Sequence, residues 1–155
     1  MADNTKAMAF GVFDNLHAGH RFFLRAASRI GNKLIVVVAR NSAVQNLKRR
    51  MPGFGERKRL RAVLQLPYVW RAVLGDRAQG SYGVIQRYKP HSICLGYDQK
   101  ALTRDLRAKM HAGNIPRVKL IMLAAFHPGR YHTSLLRARQ KAKPAAKARR
   151  FRNAK

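Results

Sequence analysis

The segment Gly11-Val12-Phe13-Asp14-Asn15-Leu16-His17-Ala18-Gly19-His20 decides how the rest of the chain is read. It sets two histidines three residues apart, behind an apolar run and across a glycine. Ala7–Phe13 reads as a buried parallel strand, and Arg21–Ile30 has the apolar spacing of a helix. The histidines then fall in a tight turn that opens a helix, where unsatisfied N–H groups and the helix dipole favour anions. Two neutral imidazoles there can donate N–H bonds to phosphate oxygens, and Gly19 lets the backbone approach a ligand. The plainer alternative is a strand–turn–helix whose histidines are incidental.

Working outward, apolar and amphipathic segments alternate. The expected strands are Ala7–Phe13, Lys33–Ala39, Ala72–Gly75, Ser92–Gly96 and Val118–Leu123, and the expected helices Arg21–Ile30, Glu56–Gln65, Tyr82–Tyr88 and Leu102–His111. Strands separated by helices predict an α/β fold: a Rossmann-like, five-stranded parallel sheet with helices on both faces. Such sheets bind ligands beyond the carboxyl ends of their strands, which is where the Gly11–His20 turn belongs. Lys48–Gly55 is basic and rich in breakers and reads as a loop. Residues 1–138 form the expected domain. Residues 139–155 form a basic tail for which no fixed structure is expected.

A chain of 155 residues, 46% of them hydrophobic, has material for one sizeable core. Its longest strongly apolar run, Leu34–Ala39, is far too short to span a bilayer. The start Met1–Lys6 lacks the pattern of a signal peptide. The lone Cys94 excludes an intrachain disulfide and reads as a small core residue. These features together predict a cytoplasmic protein with no membrane association. The charge is unusual: 33 Lys and Arg stand against six acids, a net +27. Residues 139–155 hold only eight of those cations, so the body keeps 25 against six acids, a net +19. Charge of that size attracts polyanions, nucleic acid first among them.

The pattern G-x-F-D-x-x-H-x-G-H resembles the signature of the cytidylyltransferase-like nucleotidyltransferases, which include glycerol-3-phosphate cytidylyltransferases and archaeal-type FAD synthases. Three further segments carry the likeness, which spans about residues 7–137. Lys48-Arg49-Arg50 matches a family loop whose basic residues reach phosphates, with Glu56-Arg57 following at a helix start. Leu95-Gly96-Tyr97-Asp98-Gln99 is more like the G-x-D-Q segment of archaeal-type FAD synthases than the D-D-W segment of the cytidylyltransferases. His132-Thr133-Ser134-Leu135-Leu136-Arg137 resembles a family signature at a helix start, with His127 and Arg130 just upstream.

The resemblance implies catalytic roles for His17, His20 and Lys48. It implies nucleotide binding by Gly11, Phe13, Asp14, Gly19, Asp98, His132, Thr133, Ser134 and Arg137. No protein metal site is expected, because Mg²⁺ would arrive with the nucleotide. The implied reaction transfers AMP or CMP from ATP or CTP to a small phosphorylated acceptor, such as FMN or glycerol phosphate, with release of pyrophosphate. Such chemistry needs positioning and charge neutralisation more than a covalent nucleophile. Structural alternatives stand beside these roles. Asp14 and Asp98 suit turns, Thr133 or Ser134 a helix cap, and Glu56 a first helical turn. Where relatives often carry an acid after the Pro-Tyr-Val element, this chain has Trp70.

Three of the six acids, Asp14, Glu56 and Asp98, fall inside these motifs, and ordinary surface acids are nearly absent. Two readings follow. One is an active nucleotidyltransferase. The other is a nucleic-acid-binding, RNA-associated protein on that scaffold, its activity reduced or lost. Relatives often dimerise, which a like-charged interface would oppose.

Overall fold

The computed structural model describes residues 4–124. Five parallel strands form one sheet: β1 (Lys6–Gly11), β2 (Lys33–Val38), β3 (Arg71–Leu74), β4 (Ser92–Leu95) and β5 (Lys119–Met122), in the order β3-β2-β1-β4-β5. The helices are α1 (Ala18–Ser28), α2 (Asn41–Lys48), α3 (Glu56–Leu64), α4 (Gly83–Tyr88) and α5 (Lys100–His111). The expected α/β architecture and all five strands are present.

β1 and β2 are central, covered on both faces, and read accordingly as near-continuous apolar runs. Their side chains alternate between two cores. Ala7, Ala9, Leu34, Val36 and Val38 meet Leu24 and Ala27 of α1 and Val63 of α3. Met8, Ile35 and Val37 meet Val84 and Ile85 of α4 and Leu106 of α5. Cys94 lies fully buried in the first of these cores, as the sequence predicts.

β1 is the point where strand order reverses, with β2 leaving to one side and β4 to the other. The register of β1 on β4 ends at Ala9↔Cys94, whereas β1 stays paired with β2 up to Gly11↔Val38. A crevice therefore opens at the carboxyl ends of β1 and β4, the position where open α/β sheets take their ligands.

Several boundaries differ from expectation, each for a local reason. β1 stops at Gly11 because Phe13 takes a left-handed φ of 54° and turns the chain. Its ring folds back over Gly11, where an added Cβ would lie 2.6 Å from Phe13 Cζ and push the ring aside. α1 begins at Ala18, three residues before Arg21, because His17 caps it. Helix α2 was not anticipated. Asn41–Lys48 is mostly polar and buries only Val44, too little for a visible apolar stripe. Lys48 is consequently the last residue of a helix, and the loop starts at Arg49, which ends α2 in a left-handed conformation.

Candidate active site

A cleft of about 800 Å³ runs along the carboxyl edge of the sheet, within the size range of small-molecule sites. Gly11, Phe13, Asp14 and the pair His17 and His20, with Gly19 between them, line it from the β1–α1 turn. Lys48 lines it from the end of α2, and Asp98 from the β4–α5 loop. All eight predicted site residues among the described ones thus meet in a single cleft. The predicted His132, Thr133, Ser134 and Arg137, with His127 and Arg130, lie outside the described residues, as does the tail.

The histidine pair is built as a reciprocal cap. His17 is the N-cap of α1, and its Nδ1 accepts from the N–H groups of Gly19 (3.0 Å) and His20 (3.4 Å). His20 reaches back, its Nδ1 accepting from His17 N–H at 3.4 Å. The two rings stack with centroids 3.8 Å apart, and Phe13 meets His20 edge-on at 5.6 Å. Acceptance at Nδ1 puts the proton of each neutral ring on Nε2. The motif therefore uses one nitrogen of each ring to fold the turn and keeps a protonated nitrogen on the other side as a donor. Histidine meets both demands at once, which a Ser or Asp cap could not.

Asp14 is buried, and its carboxylate takes Gly53 N–H at 2.7 Å and Phe54 N–H at 2.9 Å. Its prominent partners are thus backbone groups of the 49–55 loop, to which it anchors the β1–α1 turn. Beside it lies Arg59, 1% exposed and unassigned by the sequence reading. Arg59 donates through Nη1 to the carbonyls of Val12 and Ala39, both at 2.8 Å, and through Nη2 to Asn41 Oδ1 at 2.8 Å. Its Nε donates to the carbonyl of Phe54 at 2.9 Å. Burial pulls its pKa down, while Asp14 and Glu56 oppose that shift. Glu56 accepts from Asn41 N–H at 2.8 Å and pairs with Arg40 at 3.5 Å, and Arg40 Nε donates to the Gly75 carbonyl. One charged cluster thus ties together the ends of β1, β2 and β3. The available signal was spacing: Arg59 lies four residues before Val63, on the stripe that α3 buries.

The β4 side has its own brace. Gln99 Oε1 accepts from Gly96 N–H at 2.9 Å, while Gln99 Nε2 donates to the Phe10 carbonyl at 2.7 Å. Its amide spans the gap where β1 and β4 part, and holds the segment carrying the exposed Asp98 and Tyr97. Burial and the neighbouring Asp98 carboxylate raise the Tyr97 pKa.

The far wing of the cleft is different in character. Tyr82, itself at a left-handed φ of 51°, donates its hydroxyl to Asp105, and Lys109 donates to the Gly80 carbonyl at 2.9 Å. Burial, then the bond to Asp105, pushes the Tyr82 pKa well up, so the phenol stays protonated. Phe10, Val37 and Leu102 floor this wing, and Asp76 and Asp105 rim it. Both acids are paired, Asp76 with Arg87 at 3.6 Å and Asp105 with Lys109 at 3.4 Å, so the wing is polar at its rim and apolar between.

Among the described residues, no three His, Cys, Asp or Glu side chains group to hold a metal. No described helix is long and apolar enough to cross a membrane.

Comparison with known proteins defines the class. Residues 8–139 match the cytidylyltransferase-like family model, and the chain belongs to that family of nucleotidyltransferases, as an enzyme of the class. It is 39% identical over 121 residues to an FAD synthase of Thermoplasma volcanium, covering 78% of this chain and 83% of that protein. It is 40% identical, again over 121 residues, to an FAD synthase of Aciduliprofundum boonei, covering 78% and 79% of the two chains. A Thermoplasma volcanium crystal structure described as a lipopolysaccharide core biosynthesis protein superposes with a TM-score of 0.71 at 37% identity, over 79% of this chain and 98% of that one. An Archaeoglobus fulgidus protein of unknown function, 13% identical, shares the fold with a TM-score of 0.63.

Proposed function

We propose that the chain is an FAD synthase that transfers AMP from ATP to FMN and releases pyrophosphate. The observation that carries this reading is the 39–40% identity to FAD synthases over 78% of the chain. The G-x-D-Q segment Gly96–Gln99 and the two-sided cleft support it. FAD has two ring systems joined by two phosphates. The cleft has a histidine- and helix-lined centre for phosphates and an apolar, tyrosine-walled wing for a large neutral ring.

In this reading an FMN phosphate oxygen attacks the α-phosphorus of ATP, a new P–O–P bond forms, and the bond to the β-phosphate breaks. The leaving pyrophosphate takes the electron pair. The Nε2–H donors of His17 and His20 and the first N–H groups of α1 neutralise charge growing on the α-phosphate. Lys48 contributes a positive charge from the end of α2, and Asp98 accepts from ribose hydroxyls. Thr133, Ser134 and Arg137 take the β- and γ-phosphates. Asp14 acts through the 49–55 loop that it anchors. A carboxylate-poor centre suits Mg²⁺ carried on the triphosphate, since that ion keeps its waters and binds chiefly through phosphates. Bound there, Mg²⁺ supplies further neutralisation of the triphosphate.

Thermal stabilisation of nuclease-treated protein tests the donor choice. ATP is expected to raise the melting temperature well beyond CTP at equal concentration, and FMN to add to it. A larger shift with CTP, with FMN inert, would favour cytidylyl transfer to a different acceptor.

A further inference from the structure

Because all five strands are parallel, they begin along one edge, opposite the cleft. Four of the five begin at a cationic residue. Lys6 opens β1, Lys33 opens β2, Arg71 opens β3 and Lys119 opens β5, and His91 immediately precedes β4. Strands lie about 4.8 Å apart, so this row extends about 19 Å across the molecule.

The described carboxylates are at the other edge. Of the five acids within residues 4–124, Asp14, Asp76, Asp98 and Asp105 line the cleft, and Glu56 is bound to Arg40 and Asn41 beside it. Only Arg87, which flanks the row, reaches a carboxylate, Asp76 at 3.6 Å. Arg71, Lys89 and Lys119 are exposed and make no ion pair with a described acid.

The row also carries an aromatic platform. Trp70, 43% exposed, stands next to Arg71, with Lys33 Nζ 4.8 Å and the Arg71 guanidinium 4.7 Å from its ring centroid. Arg71 also lies 5.8 Å from the Tyr88 ring. An exposed tryptophan among unneutralised cations fits a ligand that offers regularly spaced phosphates together with accessible ring faces. Duplex nucleic acid hides its base faces, and an acidic protein need not supply rings.

We propose that this edge is a docking surface for single-stranded nucleic acid, separate from the cleft. The net charge of +27 alone would draw in any polyanion, so the proposal rests on location. Trp70 is the only tryptophan in the chain, and its emission reports directly on this edge.

The test titrates nuclease-treated full-length protein with an oligouridylate of about twelve nucleotides, following Trp70 emission and the anisotropy of a labelled oligonucleotide over a range of salt. Two triple charge reversals are compared, Arg71→Glu, Lys89→Glu, Lys119→Glu at the edge, and Arg57→Glu, Arg61→Glu, Arg104→Glu on the exposed sides of α3 and α5. ATP-induced thermal stabilisation verifies that each remains folded. The expected result is quenching of Trp70 on binding, with the edge variant binding about tenfold more weakly than the helix variant and with a shallower salt dependence. Equal weakening in the two variants would reduce the effect to diffuse attraction and overturn the proposal. Trp70 emission unmoved while the oligonucleotide binds, or equally tight binding of a duplex, would overturn it too.

Discussion

His17 caps α1 and, in the proposed reaction, also donates to phosphate, and different substitutions separate the two roles. Its Nδ1 caps α1 and its other nitrogen carries the donor N–H, and asparagine is also a strong N-cap. His17→Asn is therefore expected to keep the stability of the parent in urea denaturation while pyrophosphate release falls about 10²–10³-fold, the usual cost of losing one preorganised donor. His17→Ala should lose both, adding about 1 kcal/mol of destabilisation. Equal turnover in the asparagine variant would reduce His17 to a cap. Cys94 supplies a second test at this scale. Burial raises its thiol pKa from the ordinary 9.0 to about 11. Its contribution to stability is present below about pH 9, where the thiol is protonated folded or unfolded. It is lost as pH rises through 11, because the unfolded chain ionises first. Alkylation at pH 8 should label Cys94 only after denaturant is added, and rapid labelling of the native protein would contradict its place in the core.

At the scale of elements, strands were easier to read than the braces between their ends. Continuous apolar runs such as Leu34–Val38 can be little else in a chain of this pattern, whereas α2 buries a single valine and leaves no periodic mark. The site residues were legible where chemistry and spacing coincide, as at His17 and His20. They were not where a side chain works through tertiary contacts. Arg59 looks like one more cation in Glu56-Arg57-Lys58-Arg59, and only the fold shows it buried among carbonyls from three segments. Gln99 lies inside a recognised motif, yet its bond to Phe10, 89 residues away, has no sequence signal. Arg59→Met removes four hydrogen bonds and the buried positive charge that faces Asp14 and Glu56. A loss of about 3–5 kcal/mol is expected by urea unfolding. A loss under about 1 kcal/mol would mean that the cluster does not hold the cleft wall.

At the scale of the whole molecule, the described charges are sorted by edge. The carboxylates gather at the cleft, where they anchor loops, brace helices and rim one wing. The opposite edge and the helix surfaces carry cations. This sorting explains how a chain of net +27 keeps a polar, differentiated cleft. Asp14 and Asp76 hold backbone N–H groups beside the cleft, and mutual repulsion falls on exposed, solvated side chains. The sorting also sets the two proposed functions apart in space, nucleotidyl transfer at the cleft and single-stranded nucleic acid at the other edge. Label transfer tests the proposed nucleotidyl transfer most directly. Nuclease-treated protein is incubated with FMN, Mg²⁺ and ATP labelled at the α-phosphate, and the flavin products are separated. Label appearing in FAD together with unlabelled pyrophosphate, abolished by His17→Ala, is the predicted result. An unlabelled flavin pool after prolonged incubation of protein that ATP stabilises would contradict it.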